Sequence, residues 1–306
     1  MNPPMSPPPA VAVVGATAAG KTSLSLDLAQ ALGGEVINTD AMQVYRGMDI
    51  GTAKVPLADR RGVPHHLLDL MDIDQVASVA EFQRLAREVV ANLRARGLAA
   101  VLVGGSALYT RAVLDQFDFP GTDEAVRRRL EDELAIVGPA ALHDRLTGLD
   151  PAAAASILPG NGRRIVRALE VIELTGRRFT ASLPRLEYAV TGALQIGVRI
   201  DRETLAARIE RRVDAMFAEG FVAEVEGLLA RGLADTRTAG RAIGYPEVAA
   251  YLAGEMTEEQ CREKIATATR RFARRQDSWF RKDPRITWVD YDDPKRLEKA
   301  LAALGG

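Results

Sequence analysis

A glycine-rich run, Gly15-Ala-Thr-Ala-Ala-Gly-Lys-Thr22, follows the apolar residues 11–14 and carries the spacing G-x-x-x-x-G-K-[ST]. Glycines let the backbone curl so that successive N–H groups point into one concavity. Lys21 adds a point charge there, and the Thr22 hydroxyl is placed for a magnesium ion. Such a cradle grips a chain of phosphates, because the first N–H groups of a helix and its dipole both favour anions. A carboxylate, Asp40, follows Glu35-Val-Ile-Asn38, which reads as a short buried strand. In an open parallel sheet ligands sit beyond the carboxyl ends of the strands, so Asp40 is predicted to share the crevice of the glycine loop. An aspartate at that place also suits a cap on the next turn. Gly104-Gly105-Ser106 ends a further apolar segment, residues 99–103, and offers a second glycine turn at the same sheet edge.

Elements that position these groups are legible in the periodicity. Residues 23–32 continue the glycine loop as a helix. Residues 78–96 place Val79, Phe82, Leu85, Val89 and Leu93 on one helical face before Gly97 stops it. Strand and helix alternate, which is the mark of an α/β fold with a P-loop-type parallel sheet. From Gly121 the texture changes to helical segments at 123–137, 139–146, 151–158 and 163–174, and strand character returns at 194–200. The expected layout is a P-loop core over 11–121 and 194–306, with an all-helical insertion over 122–193. Asp201 suits an N-cap for a helix over 202–219 that carries Arg208, Arg211 and Arg212. His65 and His66 are adjacent on an extended segment and so point to opposite faces, which makes a poor metal pair.

A last helix, residues 257–282, is rich in arginine. At about 100° per residue, Cys261, Ile265, Ala268, Phe272, Gln276 and Trp279 fall along one stripe. Arg270, Arg274 and Arg281 lie opposite, with Arg271, Arg275 and Lys282 between. Few acids offset them, so phosphate contact is favoured over a merely solvated face.

Composition narrows the class. The chain has 306 residues and a formal net charge of −1, so the basic residues matter through clustering and not through total charge. Cys261 is the single cysteine, which excludes an internal disulfide and a cysteine zinc cluster. No apolar run is long enough to cross a membrane, and residues 1–10 read as a disordered proline-rich lead without the regions of a secretory signal. A cytoplasmic protein is expected. Two chemistries remain open on these residues. The phosphate could be transferred, as in a P-loop small-molecule kinase. It could equally be the leaving group, with Asp40 orienting or deprotonating the incoming nucleophile.

Longer stretches carry more. Asn38-Thr-Asp-Ala-Met-Gln-Val-Tyr-Arg-Gly-Met-Asp-Ile-Gly-Thr-Ala-Lys54, Pro64-His-His-Leu-Leu-Asp69, Leu102-Val-Gly-Gly-Ser-Ala-Leu-Tyr109 and Arg163-Arg-Ile-Val-Arg-Ala-Leu-Glu-Val171 stand in one order with the P-loop. Ile243-Gly-Tyr245 and Thr269-Arg-Arg-Phe-Ala-Arg-Arg-Gln-Asp-Ser-Trp-Phe-Arg281 follow. In these stretches the chain resembles the tRNA dimethylallyltransferases, also called tRNA isopentenyltransferases. The resemblance implies transfer of a dimethylallyl group from dimethylallyl diphosphate to N6 of adenosine 37, in tRNAs reading codons that begin with U, with magnesium required. It further implies a monomer that binds the tRNA anticodon stem-loop, with the helical insertion as a clamp, and no membrane partner. Gly15, Ala16, Thr17, Ala18, Ala19, Gly20, Lys21 and Thr22 would bind the diphosphate with Arg212 and Arg270. Lys21, Thr22 and Asp40 would be catalytic, and Thr22 the metal ligand. The implied tRNA contacts are Asp40, Ala41, Met42, Gln43, Ser106, Arg127, Arg163, Arg164, Arg167, Arg241, Gly244, Tyr245, Arg274, Arg275, Gln276, Trp279 and Arg281. Ala16 and Ala19 depart from the proline and serine usual in the family's loop, Ala41 from a serine, and Pro246 from a charged residue.

Overall fold

The computed structural model describes residues 8–117, 119–179 and 186–305. Most of the lead read as disordered lies outside the described residues, but its last three belong to the fold. The Pro8 carbonyl accepts from Arg94, the Pro9 carbonyl accepts the Ala100 N–H, and Ala10 opens the first strand.

Contacts divide the chain into two compact units, residues 1–114 with 190–306, and residues 115–189. The larger holds a six-stranded sheet in the order β3-β2-β4-β1-β5-β6, in which every pairing is parallel. Its strands are β1 (Ala10–Val14), β2 (Glu35–Asn38), β3 (His65–His66), β4 (Ala100–Val103), β5 (Ala193–Arg199) and β6 (Ile286–Asp290). β1 is fully buried along its length, as a central parallel strand covered on both faces must be, and this is why its sequence is apolar without alternation. Register sets Val11 against both Val101 of β4 and Leu194 of β5. The turns that follow β1, β2 and β4 therefore leave one edge side by side.

Helices α1 (Lys21–Leu32), α2 (Val79–Ala95), α3 (Ala107–Leu114), α7 (Arg202–Ala218), α8 (Phe221–Leu229), α9 (Tyr245–Leu252), α10 (Glu258–Phe280) and α11 (Arg296–Ala302) complete this unit. Ser78, Asp201 and Thr257 cap α2, α7 and α10, each accepting a backbone N–H of the first turn. Two predicted faces are rotated. α2 buries Phe82, Ala86, Val90 and Leu93 in place of Val79, Leu85 and Val89. α10 buries Cys261, Ile265, Ala266, Ala273, Gln276 and Phe280, while Trp279 stands 56% exposed. Overlapping stripes one residue apart are nearly equal in apolar content, so the partner surface decides between them. β6 was not anticipated: five residues after a helix carry too little pattern to mark a strand.

The smaller unit is helical: α4 (Glu124–Leu149), α5 (Pro151–Ser156) and α6 (Gly162–Thr175). α4 is kinked at Gly138, whose φ of 79° and the following Pro139 break the ladder. Leu130, Leu142, Leu146, Ile157, Ile165 and Leu169 form its core. Glu170 is buried within it and accepts from Arg127, Arg167 and the Asp123 N–H. The sequence edges at 121 and 193 fall several residues after the contact boundaries at 114 and 189.

Candidate active site

The glycine loop runs from the end of β1 into α1. Gly15 has φ 137°, and a Cβ there would meet the Val198 carbonyl at 2.9 Å, so the loop lies directly on β5. Ala18, at φ 61°, holds a left-handed conformation that costs a non-glycine residue about 1 kcal/mol. The curl leaves the first N–H groups of α1 without intrahelical partners. Lys21 Nζ donates to the Ala16 carbonyl at 2.7 Å. Burial and the nearby Arg212 guanidinium push its pKa down to about 7, against a smaller opposing pull from Asp40. Thr22 is exposed on the first turn.

α7 presents Arg208 and Arg212 one turn apart, so both reach the same side. Arg212 Nη1 donates to Thr17 Oγ1 at 3.0 Å. Burial first, then repulsion from Arg208, lowers the Arg212 pKa, while Asp40 opposes. An Nη of Arg208 lies 3.7 Å from where a Gly20 Cβ would be, and its guanidinium packs over Tyr291. Three cations thus face one loop.

Asp40 leaves β2 half-buried. Its Oδ1 accepts the Met42 N–H at 2.9 Å, while its own N–H donates to Asn38 Oδ1. Burial pushes its carboxyl up from the ordinary range, against the Met42 and Gln43 N–H groups, Lys21 and Arg212, which all favour the anion. Asp40 thus closes the next turn and lies in the field of Lys21 and Arg212. At the end of β4, Gln276 from α10 bridges the two glycine turns, accepting the Thr17 N–H at 2.8 Å and donating to the Gly105 carbonyl at 2.9 Å. Ser106 Oγ accepts the Tyr109 N–H and caps α3.

Known proteins resemble the chain over nearly its whole length. The profile of the IPP transferase family matches residues 43–283. A tRNA dimethylallyltransferase of a Nocardioides species is 68% identical, covering 97% of this chain and 96% of that one. That of Streptomyces coelicolor is 57% identical, covering 98% and 96%. The chain belongs to the tRNA dimethylallyltransferase family. The crystal structure of the full-length tRNA isopentenylpyrophosphate transferase from Bacillus halodurans is 42% identical with a TM-score of 0.71, covering 98% of this chain and 97% of that one. A eukaryotic dimethylallyltransferase captured acting on tRNA superposes with a TM-score of 0.82 at 27% identity, covering 96% and 77%.

The family's expected nucleic-acid residues fall into three groups. Arg274, Arg275 and Trp279 are exposed and, with Arg271 and Ser278, line an open depression on α10. Lys282 lies over the Trp279 ring, so an aromatic plane stands among cations, as single-stranded bases require. Arg163 and Arg164 are exposed at the start of α6, Arg241 is exposed in a 3-10 turn, and Ala41, Met42 and Gln43 are half-exposed. A second group is already paired in the free protein: Arg127 and Arg167 with Glu170, and Arg281 with Asp277. Arg270, expected at the diphosphate, is paired with Glu210 of α7. The third group is internal. Gln276 and Tyr245 are 5% and 0% exposed, and Gly244, at φ 99°, is buried before α9. The Gln276 and Tyr245 side chains face the fold.

Glu224 belongs to no motif in the sequence. From α8 it accepts the N–H groups of Asp49, Ile50 and Gly51 and the Tyr245 hydroxyl, and so clamps the loop after Asp40. Its only local signal is an ordinary helical acid. Lys54 supports the same loop from within, paired with Asp49 and Asp69 and donating to the Tyr45 carbonyl.

Proposed function

We propose that this protein transfers the dimethylallyl group of dimethylallyl diphosphate to N6 of adenosine 37 of tRNA. The observation that carries the reading is the placement of Asp40 in the same field as Lys21 and Arg212 at the glycine loop. A cradle of cations serves a leaving diphosphate, and a carboxylate beside it serves a nucleophile that must lose a proton.

The open N–H groups at the start of α1, Lys21 and Arg212 hold the diphosphate and take up the negative charge that grows on it as the allylic C–O bond breaks. Asp40 accepts a hydrogen bond from the exocyclic amine, which raises the nucleophilicity of a weak amine. Nitrogen bonds to the allylic carbon, the electron pair of the C–O bond leaves with diphosphate, and the amine proton passes to Asp40. The base leaves its stack to reach the loop, at the cost of a few kcal/mol. The exposed cations of α10, with Trp279, and of α6 supply phosphate and stacking contacts to the anticodon stem-loop.

Among the described residues no cluster of three or more His, Cys, Asp or Glu could cage a metal. Mg2+ takes a few protein oxygens together with substrate phosphates. Thr22 would hold it, and it would neutralise diphosphate charge. We place the protein at work as a monomer in the cytoplasm. No helix among the described residues is long and apolar enough to cross a membrane.

Incubation with unmodified tRNA, dimethylallyl diphosphate and Mg2+, followed by nucleoside mass spectrometry, is expected to give N6-dimethylallyl adenosine. ATP consumption on a small acceptor without that product would establish the kinase alternative instead.

A further inference from the structure

Gln276 carries more than its place on the tRNA-facing helix explains. It is 5% exposed, and both ends of its amide are used. A side-chain amide offers an acceptor and a donor from one planar group. It can therefore satisfy an N–H on one turn and a carbonyl on another, which neither a carboxylate nor an apolar side chain can do. The Thr17 N–H and the Gly105 carbonyl are that pair, on turns leaving adjacent strands β1 and β4. Gly105 is shaped to receive the amide: a Cβ there would lie 2.1 Å from Gln276 Nε2, and the three nearest atoms all belong to Gln276. Thr17 is fixed a second time, by Arg212 on its hydroxyl. The entry half of the glycine loop is thus held by the protein, with the Ala19 N–H also donating to the Ala16 carbonyl, and the first N–H groups of α1 are left to the ligand.

We propose that Gln276 is a positioning residue for the diphosphate cradle. From the buried face of α10 it sets the glycine loop in its binding shape before the ligand arrives, so that binding spends little on ordering the loop. The proposal rests on the reading of residues 15–22 as a diphosphate site. It differs from a tRNA-contact role for Gln276, because the side chain faces inward while Arg274, Arg275 and Trp279 face out.

The test uses the full chain with inorganic diphosphate and Mg2+ in titration calorimetry. Gln276→Ala removes two hydrogen bonds and is expected to weaken diphosphate binding about tenfold. Gly105→Ala displaces the amide and is expected to do the same. The double variant should be no weaker than Gln276→Ala, since the added methyl fills room the amide has vacated. Gln276→Met refills the volume without the amide and should bind as weakly as the alanine variant. In steady state, KM for dimethylallyl diphosphate should rise with kcat nearly kept, while tRNA affinity without diphosphate moves by less than about twofold. Unchanged diphosphate affinity in Gln276→Ala, additive losses in the double variant, or full recovery by methionine would each overturn the positioning role. A wild-type protein that does not bind diphosphate at all would sink the site reading along with it.

Discussion

Lys21 offers a test of how the site stores charge. Burial and Arg212 push its pKa down to about 7 in the ligand-free protein. At pH 8 only about one in ten molecules then carries the charged lysine. A bound diphosphate reverses the balance, since a polyanion favours the ammonium form, and the site must take up about 0.9 proton as it fills. The same arithmetic makes affinity about tenfold weaker at pH 8 than a permanently charged side chain would give, or ~1.4 kcal/mol. Lys21→Arg supplies that permanent charge. Calorimetry with dimethylallyl diphosphate at pH 8, in buffers of different ionisation enthalpy, reads the proton count, and the arginine variant subtracts the ligand's own ionisation. Wild type should take up nearly one proton more than Lys21→Arg, and the difference should vanish at pH 6, where both are charged. Equal uptake at pH 8 would refute the depressed lysine. Stability carries the same signature. Between about 7 and 10.5 the unfolded chain holds the proton and the folded one does not, so the ligand-free protein should gain stability as pH rises through that window.

Four further outcomes follow from the geometry. Asp40→Asn keeps the size and the capping oxygen but removes the base, so single-turnover rates should fall by about a hundredfold or more with diphosphate binding retained. Because the Asp40 carboxyl is pushed up, the acid limb of the wild-type rate profile should begin above the ordinary aspartate range and be absent from Asp40→Asn. Arg274→Ala should weaken tRNA binding across sequences and reduce the slope of log affinity against log salt by about one, read by filter binding. Glu224→Ala orphans three N–H groups and the Tyr245 hydroxyl and should cost about 2–4 kcal/mol in urea unfolding, whereas a loss under about 0.5 would make the clamp dispensable.

Local pattern by itself determined the cradle and the alternation around it. Residues 11–22 need no partner to announce a strand, a curled loop and a helix start, because glycine spacing and lysine are properties of neighbours in sequence. The cap at Asp201 is local for the same reason, as is the apolar run of a strand buried on both faces. Tertiary structure decided what those parts face. The strand order set the turns after β1, β2 and β4 at one edge, which is what places Asp40 near Lys21. It decided which of two overlapping stripes of α10 is buried, and so turned Trp279 outward, while Gln276 lies on both. The bond from Gln276 to Thr17 spans 259 positions, and the clamp from Glu224 to Ile50 spans 174. Periodicity ranks the faces of one element against water. It carries no information about which distant backbone N–H a buried amide or carboxylate will meet, because that choice is made only when sheet and helices close on each other.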